Sequence, residues 1–172
     1  EPSTSESLEM VTDPEAGVAY KLYVDQENVG KTVLFTGTTA NKDYYLSTST
    51  DIAEAVDVYL EAADGGYYLY FYAGQTKTYI DMYLSGTYYN VRLAAEPSAV
   101  YVFNTEYNTL VATVEGTDCY IGAYNTYETL SGSAYSYITG ATSYASHLGL
   151  IGEGTEPDVT QPTATEPEAT QP

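Results

Sequence analysis

Residues 55–84 read AVDVYLEAADGGYYLYFYAGQTKTYIDMYL. Aromatic and aliphatic residues crowd into short runs, Val56–Leu60, Tyr67–Tyr72 and Thr78–Leu84, separated by Asp64-Gly65-Gly66 and Ala73-Gly74-Gln75. Runs of this composition bounded by glycine predict strands joined by hairpin turns. In Tyr67–Tyr72, tyrosine falls on both faces of the strand, so one set must pack inward and the other must face out. The same grammar extends in both directions. Lys31–Phe35, Asp43–Ser47, Asn90–Ala94, Val100–Phe103, Leu110–Val114, Cys119–Tyr124 and Tyr135–Ile138 read as strands, with turns at Ser85-Gly86 and Glu115-Gly116-Thr117. Only DIAEAV, residues 51–56, predicts a helical turn, with Asp51 as its cap.

The stretch is also the middle copy of a repeat. A Leu followed after nine residues by a Tyr occurs as Leu34 to Tyr44, Leu69 to Tyr79 and Leu110 to Tyr120. The next residue is Tyr45, Ile80 or Ile121, and upstream lie Ala19–Tyr23, Ala55–Tyr59 and Ala99–Phe103. Units start near residues 19, 55 and 99, and the second and third stay in step at an offset of 41 from Leu69/Leu110 to Tyr83/Tyr124. Three units of about 40 residues, each with room for four strands, predict an all-β closed barrel. The β-trefoil is the best match, with another β-barrel or a β-sandwich as the alternative. No one unit covers its own apolar face, whereas three around an axis do, and closure removes exposed sheet edges.

All 21 Tyr lie between Tyr20 and Tyr144. Residues 18–152 therefore read as one tyrosine-rich domain, large enough for a single core. Residues 1–17 and 153–172 are rich in Thr, Pro and Glu and hold five acidic residues each. Such composition buries too little apolar surface to offset chain entropy, so both ends read as flexible or disordered linkers. With no initiator Met at its start, the chain reads as one monomeric module of a longer protein.

The formal charge is −19, from 24 acidic and 5 basic residues. Phosphate neutralisation needs clustered Lys and Arg, which argues against nucleic acid. No run is long and apolar enough for insertion of a helix into a membrane. Cys119 and His147 are the only Cys and His, which excludes an internal disulfide and a Cys/His zinc centre. Cys119 reads as a small core residue and His147 as a structural residue of a closing strand. We expect no cofactor; the charge leaves room only for weak surface calcium. No nucleophile elbow or phosphate-cradling loop occurs. A hydrolase would need two facing carboxylates, and among Asp57, Glu61, Asp64 and Asp81 nothing singles out a pair.

Tyr is apolar with one polar handle, so it suits half-wet surfaces and cross-strand pairs alike. Two stretches join it to Asn: Tyr88-Tyr89-Asn90 and Tyr124-Asn125-Thr126-Tyr127. An aromatic face beside an amide that can grip vicinal hydroxyls is carbohydrate chemistry, although the dipeptide is also ordinary turn chemistry. Tyr88, Tyr89, Asn90, Tyr124, Asn125 and Tyr127 are thus the candidate ligand-binding residues.

Several stretches, among them AGVAYKL (16–22), NVGKTVLFTG (28–37), GGYYLYF (65–71) and GTDCYIGAYNTYETLSGSAYSYI (116–138), resemble a tyrosine-rich module of large exported proteins of anaerobic Gram-positive gut bacteria. The resemblance spans about residues 16–151. It implies a non-catalytic accessory domain, extracellular or on the bacterial cell surface. The expected function is non-enzymatic binding or adhesion, with a cell-surface or host glycan or a protein as partner. The alternative is a structural spacer with no ligand of its own.

Overall fold

The computed structural model describes residues 7–27, 29–124, 128–138 and 143–152. The described residues form thirteen strands and no α-helix. The strands are β1 (Ser7–Met10), β2 (Lys21–Gln26), β3 (Lys31–Ala40), β4 (Lys42–Ser49), β5 (Val58–Ala63), β6 (Gly66–Ala73), β7 (Thr76–Ser85), β8 (Tyr88–Ala94), β9 (Tyr101–Asn104), β10 (Thr109–Val114), β11 (Thr117–Tyr124), β12 (Ser131–Ala134) and β13 (Ser143–Gly152). Every pairing between them is antiparallel. The all-β reading holds. So does the expected turn: Asp51 Oδ1 accepts the Ala53 amide at 3.0 Å and caps a short 3-10 helix, Ile52–Glu54.

One continuous sheet runs β4-β3-β2-β13-β11-β10-β9-β6-β7-β8, with β1 on β13, β12 on β11 and β5 on β6. Its two ends come back together through the segment leading into β12. Leu46 of β4 exchanges backbone hydrogen bonds with Leu130 at 2.8 and 3.1 Å. Two residues on, Gly132 lies against the backbone of Tyr89 in β8. The result is a nearly closed barrel. Its interior holds Val24, Phe35, Leu46, Val58, Leu60, Leu69, Phe71, Ile80, Val91, Tyr101, Ile121 and Leu130, all essentially without solvent contact. Phe35 and Phe71 meet edge to face at 5.1 Å. A smaller cluster of Tyr23, Leu34 and Ala55 packs outside it.

The repeat is expressed unevenly. Tyr79 pairs with Tyr70, and Tyr120 pairs with Val111, so the second and third units share one hairpin register. Ile80 and Ile121 are buried alike. In the first unit Phe35 pairs with Thr48 instead of Tyr44. β3 runs on to Ala40 with register shifts between Phe35 and Ala40. Gly37 sits in that irregularity at φ 97, where a β-carbon would lie 2.9 Å from Val56 Cγ1. The extra residues move the inward position from Tyr45 to Leu46. Two matched units and one stretched unit are as far as the pairing carries the trefoil expectation.

Two boundaries differ from the sequence reading. Residues 7–10, read as part of a linker, form β1, pairing Ser7 with Gly152 through Met10 with Gly149. Val11 is buried, and its amide donates to Leu148 O at 2.8 Å. Leu8 and Val11 supply the apolar contacts that the acidic composition around them masks. Tyr135–Ile138, read as a strand, begins instead with a 3-10 turn, Tyr135–Tyr137, and the strand precedes it as β12. The reason lies in SGSA, 131–134: its small residues let β12 pass close to β8, a place Tyr135 could not occupy. Of the C-terminal linker, residues 153–172, all lie outside the described residues.

Candidate functional site

The sequence-nominated residues fall on two strands. Tyr88, Tyr89 and Asn90 begin β8, which a two-residue turn joins to β7 in the register Ser85↔Tyr88, Leu84↔Tyr89, Tyr83↔Asn90. They are strand residues, so their side chains alternate instead of converging. Tyr88 is 74% exposed, whereas Tyr89 packs against the core. Tyr124 ends β11, paired with Ser143, and is 47% exposed. β12 lies between the two strands, pairing with β11 and packing against β8. Asn125 and Tyr127 lie outside the described residues.

The densest aromatic surface is elsewhere, on the outer face of β5, β6 and β7. Leu69 and Phe71 point inward, so Tyr68, Tyr70 and Tyr72 point out, as the alternation predicts. Tyr59, Tyr70 and Tyr79 stand opposite one another across three strands. Tyr59 stacks on Tyr70 at 5.3 Å, and Tyr72 meets Tyr70 edge-on at 5.9 Å. Tyr68 meets Tyr79 edge-on, also at 5.9 Å. Lys77 Nζ lies 4.3 Å from the Tyr70 ring centre, and both it and the Tyr79 hydroxyl donate to Glu61 Oε1 at 2.7 Å. The bond from Lys77 holds the Glu61 carboxyl below its ordinary range, and the bond to Glu61 pushes the Tyr79 phenol up. These rings spend their faces on one another. That stabilises the sheet, although Tyr72 at its margin stays 49% exposed.

A different surface combines an aromatic side chain with polar groups that are not bonded within the protein. A groove of about 620 Å³ lies between the β3–β4 hairpin and the segment just before β12, lined by Asn41, Tyr45, Ser47, Thr48, Glu128 and Thr129. Asn41 sits at the hairpin tip with φ 69, a conformation Asn tolerates better than most residues. Tyr45 is braced by Tyr44, whose ring meets it edge-on at 4.7 Å. The far wall is tied down by Glu128: its carbonyl accepts the Thr48 hydroxyl, and its carboxylate pairs with Lys31. Lys31 also keeps that carboxyl below its ordinary range, so Glu128 is anionic at neutral pH. Ser47 is used internally, bonded to Thr36 Oγ1 at 2.5 Å and to Thr38 O at 3.0 Å. Among the described residues, the Asn41 amide, the Tyr45 phenol and the Thr129 hydroxyl have no hydrogen-bond partner. The groove thus offers a ring, an amide, two hydroxyls and a carboxylate to a ligand.

Sequence reasoning missed this groove, although the second nominated stretch, Tyr124–Tyr127, runs directly into Glu128. The carboxylates weighed for hydrolysis are mostly engaged. Asp57 pairs with Lys21, Glu61 with Lys77 and Asp81 with Arg92. Asp81, buried to 1% exposure, also accepts the amides of Ser98 and Ala99 at 3.1 and 2.7 Å and the Ser98 hydroxyl at 2.7 Å. It is a clamp on the connection from β8 to β9. Cys119 is a buried free thiol, 3.4 Å from Ala112 O, and burial pushes it up to about 12. His147 lies in β13 opposite Tyr23, and its Nδ1 is 2.9 Å from Asn108 O. No cluster of three or more metal-ligating side chains occurs among the described residues.

No family model matches the chain, and neither a curated protein nor a solved structure matches it.

Proposed function

We propose that this chain is a non-enzymatic extracellular module, borne on a bacterial cell surface or secreted, that binds a neutral carbohydrate in the groove beside the β3–β4 hairpin. One observation carries the reading: Tyr45 shares a concave surface with the unbonded Asn41 amide and Thr129 hydroxyl and with the ionised Glu128 carboxylate. Sugar rings present an apolar face and a fringe of hydroxyls, and a ring flanked by amide and carboxylate acceptors answers both. Glu128 and the chain's net charge disfavour an acidic sugar. An open groove that desolvates few groups gives weak affinity, about 0.1–1 mM for one site, which tandem modules would raise by avidity. The matching second and third units support a trefoil as the form of the barrel.

A glycan array probed with the full chain, with calcium and with chelator, tests the proposal. Binding to one neutral sugar class that survives chelator and is lost in Tyr45→Ala would support it.

The second reading is a spacer with no ligand. The self-packed tyrosines of β5–β7 favour it, because they show that much of the tyrosine content goes into holding the sheet together. A blank array from folded protein would favour this reading.

A further inference from the structure

The barrel repeatedly places a tyrosine beside a carboxylate and sets a cation between them. Lys77 bonds Glu61 and covers the face of Tyr70. Arg92 bonds Asp81 and lies 4.7 Å from the centre of Tyr83. In each case a guanidinium or ammonium satisfies the anion and the negative face of the ring together.

One place has the tyrosines and the carboxylates without the cation. A groove of about 400 Å³ opens where β2, β13 and the β9–β10 turn meet. Its walls carry Asp25, Glu27 and Glu106 together with Tyr23, Tyr107 and Tyr144, and no lysine or arginine lines it. Among the described residues, none of the ion pairs involves these three carboxylates. The walls are fixed. Tyr23 and His147 are cross-strand partners with rings 5.5 Å apart, and His147 Nδ1 bonds the carbonyl of Asn108, the left-handed residue of the turn. The Tyr107 amide donates to Asn104 Oδ1 at 2.9 Å, and its ring rests edge-on against Tyr135. After burial, the largest influence raising the Tyr23 phenol is Asp25, and for Tyr107 it is Glu106. Asp25 and Glu106 therefore lie close enough to act on the phenols beside them.

We propose that this groove binds an organic ammonium ion supplied from outside the chain. A bare metal ion fits poorly, because the carboxylates do not converge into a cluster that could hold one. An ammonium carried on a carbon skeleton can reach separated carboxylates while its C–H surface lies on the rings. Two sources share that chemistry: the unacetylated amino sugar of a polysaccharide, and a quaternary head group such as choline. The site is separate from the carbohydrate groove, and its existence does not depend on that proposal.

The test is a ¹⁵N–¹H NMR titration of the full chain with glucosamine, choline, N-acetylglucosamine and calcium, at fixed low ionic strength. Glucosamine or choline should shift the amides of Glu106–Asn108 and Ala145–His147, saturating in the millimolar range and weakening as salt is added. Whichever ammonium binds more tightly identifies the source. In Glu106→Gln and in Tyr107→Leu the apparent affinity should fall at least several-fold, while resonances elsewhere hold their positions and so report an intact fold. Neutral N-acetylglucosamine should leave these amides in place, whatever it does at Asn41 and Tyr45. Equal shifts with N-acetylglucosamine, shifts with calcium alone, or no shifts with either ammonium would overturn the proposal.

Discussion

Gly132 of β12 lies directly against the backbone of Tyr89 in β8, two residues beyond the Leu46–Leu130 pair that brings the ends of the sheet together. A β-carbon on Gly132 would fall well inside van der Waals contact of the Tyr89 carbonyl and 2.8 Å from Met82 Cε. The Met82 side chain can give way, but the Tyr89 backbone cannot. Gly132→Ala should therefore cost about 1–3 kcal/mol, the usual range for overpacking, despite adding one methyl group. Urea denaturation read by far-ultraviolet circular dichroism would measure it. A variant as stable as the parent would mean that β12 and β8 are farther apart in solution.

Asp81 should be the most consequential carboxylate for stability. Asp81→Ala would strand the amides of Ser98 and Ala99, and Ala99 is itself buried. Arg92 is half exposed and can turn to water, which limits the loss to about 2–4 kcal/mol. Asp81→Asn keeps one acceptor for the amides but presents an NH₂ to Arg92 or Ser98, so it should fall between the parent and the alanine variant. The same denaturation curves rank the three proteins.

The Glu61–Lys77–Tyr79 group gives a signed pH dependence. The Glu61 carboxyl lies below its unfolded value, so its contribution is complete above the ordinary carboxylate range and disappears as pH falls through the folded value. Lys77 is raised, so its contribution is present at neutral pH and is lost only in strong alkali. The group is partly exposed and screened by water, which holds the effect below about 1 kcal/mol. A more specific readout is the Tyr79 phenol. Glu61→Gln should bring its titration back toward that of an ordinary tyrosine, followed by the ring carbon shift in NMR. An unchanged titration would show that Glu61 does not hold the hydroxyl.

Cys119 should be inert while the chain is folded. It is fully buried and its thiol is raised to about 12, so little thiolate exists at pH 8. A chromogenic disulfide reagent should leave it unmodified in buffer and label it stoichiometrically in denaturant. Fast labelling of the native protein would contradict its place in the core.

How much of this was legible in the sequence depends on whether the signal was local. The strands around Tyr67–Tyr72, the two-faced alternation within them, the Asp51 cap and the turn glycines are set by alternation and turn chemistry within a few residues. β1 was not legible, because Leu8 and Val11 sit among acids and Pro, and what recruits them is an edge of β13 more than a hundred residues away. Tyr88–Asn90 was found as a motif, but the two-residue turn before it lets β8 start at Tyr88, so its side chains alternate instead of forming one face. The groove was missed because it joins Asn41 and Tyr45 to Glu128 and Thr129, which only the folding of β4 against the segment before β12 brings together. The nominated Tyr124–Tyr127 stretch came within one residue of it in sequence. The stretched first unit hides Tyr45 further, since a strict repeat would send that position inward with Ile80 and Ile121.

The central claim is that Tyr45 and Asn41 form a carbohydrate site. It is tested most directly by titrating the neutral sugar selected on the array into the full chain and into Tyr45→Ala, by isothermal calorimetry in chelator. Tyr45 is half-buried at the groove and outside the main core, so the variant should fold as the parent does. The account predicts saturable binding by the parent and at least a tenfold loss in the variant, with Tyr88→Ala close to the parent. Binding that survives Tyr45→Ala and is lost in Tyr88→Ala would place the site at the start of β8 and contradict the account.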